Sequence, residues 1–188
     1  GIELRQNGIV GNILILGYTD ITELEYVIKY NLIQTIVDFN YAKKIESLTL
    51  SDKINVHLKI NTGLNRIGEN YNNIDNFIKM FNMTNLNILG CYSHLGVADS
   101  LDNGDIEFTK NQIQNFDFCI NKIKEAGYNP GKLHIQNTYG TLNYSNLRYD
   151  YVRIGIGIYG VFNNIIHENN SKTFIHLKPV LALKARVT

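Results

Sequence analysis

Short β-branched and apolar runs alternate along the whole chain with segments whose apolar residues recur every three or four positions. This alternation predicts repeated β-α units around a parallel sheet. Six strands are expected: Ile13–Leu16 ending at Gly17, Gln34–Val37 ending at Asp38, Asn55–Ile60 ending at Asn61, then Leu86–Tyr92, Lys132–Gln136 and Asp150–Ile154. The helices between them carry stripes such as Ile74, Phe77, Ile78 and Phe81, or Ile113, Phe116, Ile120 and Ile123, which predict faces packed on the outside of the sheet. Asp20 and Thr22 signal the start of an early helix, and Gly127 followed by Pro130 the end of the longest one. Residues 1–5 read as the inside of a helix, so a natural start upstream of Gly1 is expected.

After Tyr159-Gly160 the pattern changes. A polar stretch with Asn163, Asn164, Asn169, Asn170 and Ser171 leads into an alternating segment from Leu177 to Leu183. The expected organisation is a partial barrel domain over 1–160, a linker over 161–176, and over 177–188 the first strand of a C-terminal β-domain, with Pro179 near its start. Six β-α strands fit either a doubly wound open sheet or an incomplete (β/α)8 barrel of the TIM type. The barrel is favoured because unusual polar residues cluster just beyond the strands' C-terminal ends, where barrel sites are built.

Composition narrows the class. The 188 residues are 44% hydrophobic and 19% charged with a net charge of +1, a globular balance with no electrostatic footprint for nucleic acid or an anionic surface. The expected partner is a small molecule. Cys91 and Cys119 have no neighbouring Cys or His set, which gives neither a disulfide framework nor a metal site, and reduced thiols in a cytoplasmic setting are expected. No apolar run reaches the ~20 residues that a membrane helix needs.

Four segments carry candidate chemistry. In His57-Leu58-Lys59-Ile60-Asn61-Thr62-Gly63-Leu64-Asn65-Arg66-Ile67-Gly68, Lys59 interrupts an apolar strand, where it either reaches the surface at the rim or must meet an anion or become neutral, and a helix cap is the alternative for Arg66. The loop after it ends in Arg66, a residue suited to an anionic oxygen. Tyr92-Ser93-His94-Leu95 puts a histidine at a strand end, as a base, a stacking partner or a satisfied core group. His134-Ile135-Gln136-Asn137-Thr138-Tyr139-Gly140 and Tyr151-Val152-Arg153-Ile154-Gly155-Ile156-Gly157 follow the last two expected strands. Gly155 and Gly157 would admit backbone N–H groups close to an anion, with the Thr138 hydroxyl as a further donor. A tight turn is the alternative for the glycines.

KINTGLNRIG, YSHLGVADS, HIQNTYG, RIGIGIYG and LKPVLALKARV, in this order and spacing, resemble the fold-type III alanine racemases from Gly1 to Thr188. SHLGVADS and NTYGTLNY look closer to the serine/alanine racemases associated with vancomycin resistance. The resemblance implies an eight-stranded barrel holding pyridoxal 5'-phosphate, a C-terminal β-domain and a homodimer that completes the sites. It implies that Arg66 contacts the cofactor's phenolic oxygen, that His94 lies against its ring, and that Asn137, Thr138, Gly155 and Ile156 take part in its binding, the last three at the phosphate. Arg153 would bond the pyridine nitrogen as a donor that stays charged, favouring proton return at Cα over transamination. Lys59 matches a position often carbamylated. Two departures stand out: Asn61 where many relatives have Asp, removing a charge near Arg66, and Thr138 in place of Ser.

The resemblance also implies two bases, a Lys and a Tyr, on opposite faces of the substrate. Neither is in this chain: the Lys would precede Gly1 and the Tyr would follow Thr188, so the 188 residues are expected to be inactive alone, with Arg66 and His94 as supporting groups. The intact protein would interconvert the enantiomers of alanine, serine or both, supplying D-amino acids for peptidoglycan, with membrane attachment through an N-terminal portion as one arrangement. A non-catalytic cofactor-binding barrel of the homeostasis type and a racemase-derived interaction module are the alternatives.

Overall fold

The computed structural model describes residues 1–161 and 175–182. Its strands are β1 (Leu14–Ile15), β2 (Ile33–Ile36), β3 (Ile54–Asn61), β4 (Glu69–Asn70), β5 (Leu86–Tyr92) and β6 (Lys132–His134). Its helices are α1 (Ile2–Gln6), α2 (Leu24–Lys29), α3 (Phe39–Glu46), α4 (Ile74–Phe81), α5 (Asn103–Glu125) and α6 (Thr138–Asn143). Every pairing is parallel and the sheet runs β1-β2-β3-β5-β6, with the short β4 set beside the end of β3. A doubly wound sheet reverses its strand order at a switch point. Here each β-α unit adds its strand on the same side as the last, which makes the sheet a wall of an incomplete (β/α)8 barrel.

The two faces of this wall differ because side chains alternate along a strand. On β3, Ile54, Val56, Leu58 and Ile60 are fully buried and join Leu24, Ile45, Phe77, Phe116 and Ile123 of the helices in one apolar core. Their burial contributes roughly 1.5–3 kcal/mol for each large side chain. The alternate positions His57 and Lys59 share the inner face with Tyr92 and His134, their neighbours across the ladder on β5 and β6. The apolar core therefore lies outside the sheet under the helices, and the barrel interior is polar.

Local signals match the boundaries. The Asp20 carboxylate accepts the Thr22 N–H at 3.0 Å and opens the turn into α2. Asp38 caps α3 by accepting the Tyr41 N–H at 2.7 Å. After α5, Gly127 takes a φ of +88°, and the Tyr128 N–H returns to the Ile123 carbonyl at 3.2 Å. That closure is the left-handed helix end expected of glycine.

Two expectations need correction. Asp150–Ile154 forms no ladder strand. The Asp150 carboxylate takes the Leu133 N–H at 2.8 Å, while the Asp150 and Tyr151 N–H groups both converge on the Leu133 carbonyl, so the even spacing of parallel bonds is lost. The strand expected over Lys132–Gln136 stops at His134; beyond it the Gln136 side-chain amide donates to the Gly140 and Tyr144 carbonyls at 3.3 and 3.0 Å, and the Gln136 carbonyl accepts the Arg153 N–H at 3.0 Å. Most of the expected linker and residues 183–188 of the expected terminal strand lie outside the described residues; residues 177–182 form no strand. Among the described residues, no helix is long and apolar enough to cross a membrane.

Candidate functional site

A cavity of about 380 Å³ opens at the C-terminal ends of the strands, a volume within the range of small-molecule sites. β3 and its loop bring Lys59 and Arg66 to it, and the segment after β5 brings His94. The turn after β6 adds Asn137 and Thr138, and the next segment adds Arg153, Gly155 and Ile156. The site residues that the resemblance implies thus meet at one cavity, with Gly157 just outside its lining.

The loop that carries Arg66 is held by its own neutral amides. Asn61 Oδ1 accepts the N–H groups of Gly63 and Asn65 at 3.2 and 3.0 Å, and its Nδ2 donates to Asn65 Oδ1 at 2.9 Å. Gly68, at φ +118°, donates its N–H to the Val37 carbonyl at 2.7 Å. A Cβ there would lie 2.8 Å from the Asn61 nitrogen and 3.0 Å from Lys59 Cγ, so the loop closes against the lysine stem only with glycine. Arg66 is left exposed at the mouth.

The cavity is cationic. Lys59, Arg66 and Arg153 line it and no carboxylate does. The ion pairs among the described residues, Lys122–Glu125 and Lys132–Asp150, lie elsewhere. Burial, then the Arg153 and Arg66 charges, draw the Lys59 amine down to about 7. Its Nζ donates to the Ile60 carbonyl at 2.9 Å and sits 5.4 Å from the centre of the Tyr92 ring. Arg153 is drawn to about 10 by burial, so it stays charged at neutral pH. Its Nη2 donates to the carbonyls of Ser93 at 2.5 Å and Ile135 at 3.2 Å, and its Nη1 donates to His134 Nδ1.

Burial first, and then the cations, bring His94 down to about 4. It is a neutral imidazole at pH 7, suited to lying against a planar group and poorly suited to holding a proton. Thr138 Oγ1 accepts the N–H of Gly155 at 3.0 Å and approaches that of Gly157 at 3.5 Å, so one hydroxyl and two backbone donors converge. A Cβ on residue 157 would lie 2.9 Å from Thr138 Cγ2 and close this cradle. Asn137 shapes the turn: its Oδ1 accepts the Gly140 N–H at 2.8 Å and its Nδ2 donates to the Leu95 carbonyl at 3.2 Å.

Sequence reasoning passed over Leu16 and Tyr92, which also line the cavity. Tyr92 stacks on His134 with ring centres 4.9 Å apart and planes 6° apart, and its hydroxyl lies 2.9 Å from Thr35 Oγ1. The signal was available in the inner-face alternation, which puts Tyr92 beside Lys59.

Residues 1–163 match the family model described as alanine racemase, N-terminal domain. An amino-acid racemase of Enterococcus faecalis is 39% identical over 98% of this chain, and a serine/alanine racemase of Enterococcus gallinarum is 36% identical over all of it; each alignment covers 26% of the relative. An alanine racemase of Carboxydothermus hydrogenoformans is 34% identical over the full chain and half its own length. The chain thus spans between about a quarter and half of these relatives. The solved alanine racemase of Clostridium difficile 630 in complex with cycloserine superposes with a TM-score of 0.79 at 34% identity, over 87% of this chain and 45% of that one. That of Bacillus anthracis with bound L-Ala-P shares the fold with a TM-score of 0.83 over 95% of this chain and 46% of its own. Strand order, the cationic cavity and these similarities together place the chain in the alanine racemase family, in the part described by its N-terminal domain.

Proposed function

We propose that the cavity holds pyridoxal 5'-phosphate and that the protein to which this domain belongs racemises a small amino acid, alanine or serine. The observation that carries this reading is the set of three cationic side chains around one cavity with no carboxylate, beside a cradle of one hydroxyl and two glycine N–H groups. This donor set fits a planar anion bearing a phosphate. Thr138, Gly155 and Ile156 would hold the phosphate, Arg66 the phenolic oxygen, and His94 the ring face. When bound, the cofactor supplies an electron-withdrawing ring that acidifies the Cα–H of an amino acid.

The chain's own residues tune that chemistry. Arg153 presents a donor that stays charged, so it can bond a ring nitrogen without delivering a proton to it. That limits electron withdrawal and favours return of the proton to Cα. Lys59, its amine drawn down to about 7, has a neutral form at hand to add CO2, giving a carbamate and a released proton. The carbamate would turn an isolated buried cation into an anion facing Arg66 and Arg153. The two proton carriers, a Lys and a Tyr, would come from segments beyond this chain and from a partner subunit of a homodimer. The 188 residues alone would then not racemise. The domain layout expected above, with a β-domain from 177, a cytoplasmic site and a role in supplying D-amino acids for peptidoglycan, belongs to the same proposal.

The test is chiral analysis of L-alanine and L-serine incubated with the longer protein and added cofactor. Formation of either D-enantiomer, lost when the cofactor is stripped, is the expected result. Saturable cofactor binding with no turnover of either amino acid would instead identify a non-catalytic cofactor-binding barrel.

A further inference from the structure

We infer that His134 and His57 form a one-way donor chain behind Arg153, which makes both imidazoles positioning groups for its guanidinium. Arg153 has only donors to offer, so His134 Nδ1, its partner, must carry a lone pair. A neutral His134 then bears its proton on Nε2, and that N–H faces His57 Nδ1 at 2.9 Å. His57 Nδ1 must accept, so His57 in turn is neutral with its proton on Nε2. A proton added to either ring at Nδ1 would set two N–H groups against each other. Only one arrangement of protons satisfies the chain Arg153 to His134 to His57.

The chain is built into the sheet. Where β3 meets β5 the register slips, so that Val56 pairs with Ile88 but His57 pairs with Gly90. A Cβ at residue 90 would lie 2.6 Å from His57 Cε1 and 2.9 Å from its Nδ1, so the ring occupies space that glycine leaves. Tyr92 stacks flat on His134, and Thr35 anchors the Tyr92 hydroxyl. His57 and His134 are 4% and 2% exposed. Burial, then Arg153, hold His57 near 4 and His134 near 3, with Lys59 opposing and Asp150 favouring a charge on His134; the Tyr151 ring lies 6.0 Å away. Among the described residues, Nη2 meets the Ser93 and Ile135 carbonyls and, at 3.5 Å, His94 Nδ1, and one Nη1–H meets His134, which leaves the Nε–H and the second Nη1–H of Arg153. Fixing the buried side of the guanidinium thus fixes the side offered to the cavity it lines. The consequence for cofactor binding rests on the function proposed above; the proton arrangement does not.

The experiment is imidazole nitrogen NMR on the longer protein, joined to its titration with pyridoxal 5'-phosphate. From about pH 5 to about pH 8 both rings are expected to be neutral with the proton on Nε2, whereas a free histidine titrates inside that range. In Arg153→Leu, His134 is expected to lose its single tautomer. His134→Asn keeps an acceptor for Arg153 and is expected to bind cofactor within about threefold of the parent, whereas His134→Leu should weaken binding about tenfold or more. An Nδ1 proton on either ring, a single tautomer that survives Arg153→Leu, or equal affinities in the Asn and Leu variants would overturn the inference. The expected tautomers in a longer protein with no saturable cofactor binding would overturn the cofactor reading and leave the donor chain standing.

Discussion

Lys59 shows how a single side chain reports on its surroundings. It is 2% exposed, and its amine is drawn from 10.5 to about 7 by burial and by two guanidinium groups. In the unfolded chain the same amine loses its proton only around its ordinary value of 10.5. Between about pH 7 and 10, therefore, unfolding takes up a proton, and stability rises with pH by up to about 1.4 kcal/mol per unit. Urea unfolding midpoints measured in CO2-free buffer across that window should climb more steeply in the parent than in Lys59→Met. Equal slopes would mean that the folded chain keeps Lys59 charged.

At the scale of elements, the slip between β3 and β5 is the most exacting join. Gly90 sits where a Cβ would lie 2.4 Å from the Lys132 carbonyl oxygen as well as against His57. Gly90→Ala should cost about 1–3 kcal/mol through overpacking, read as a lower denaturant midpoint with an unchanged slope. Phe77, fully buried where α4 meets the sheet, should cost about 3–5 kcal/mol as Phe77→Ala. The main strands and the helix faces were legible because alternation and helical spacing act through burial, which the core of β3, α4 and α5 obeys. Asp150–Ile154 misled because its apolar and β-branched residues suit a strand, while one carboxylate captures the N–H that a ladder would need. The cavity residues were legible as unusual polar groups after strand ends. His57, His134 and Tyr92 were not, since their roles depend on which side chains the sheet brings together across separate β-α units.

On the scale of the whole molecule, the apolar residues of the barrel wall face the helices, and His57, His94 and His134 line cavities on its other side. His57, His94 and His134 are all drawn down, chiefly by burial, to about 4, 4 and 3. Each takes up a proton on unfolding at pH values between its folded value and about 6.5. Stability should therefore fall as pH drops through that window, with each group contributing up to about 1.4 kcal/mol per unit. Thermal midpoints between pH 7 and 4 should show this loss, and a flat profile would mean that the histidines charge freely in the folded chain.

Whether the inward face is a cradle for an anionic planar cofactor is tested most directly by titrating the longer protein with pyridoxal 5'-phosphate and following the cofactor's absorbance. Saturable binding is expected, weakened about tenfold or more in both Arg153→Leu and Thr138→Ala, as the loss of a hydrogen bond to a charged group implies. Unchanged affinity in both variants would contradict the cradle.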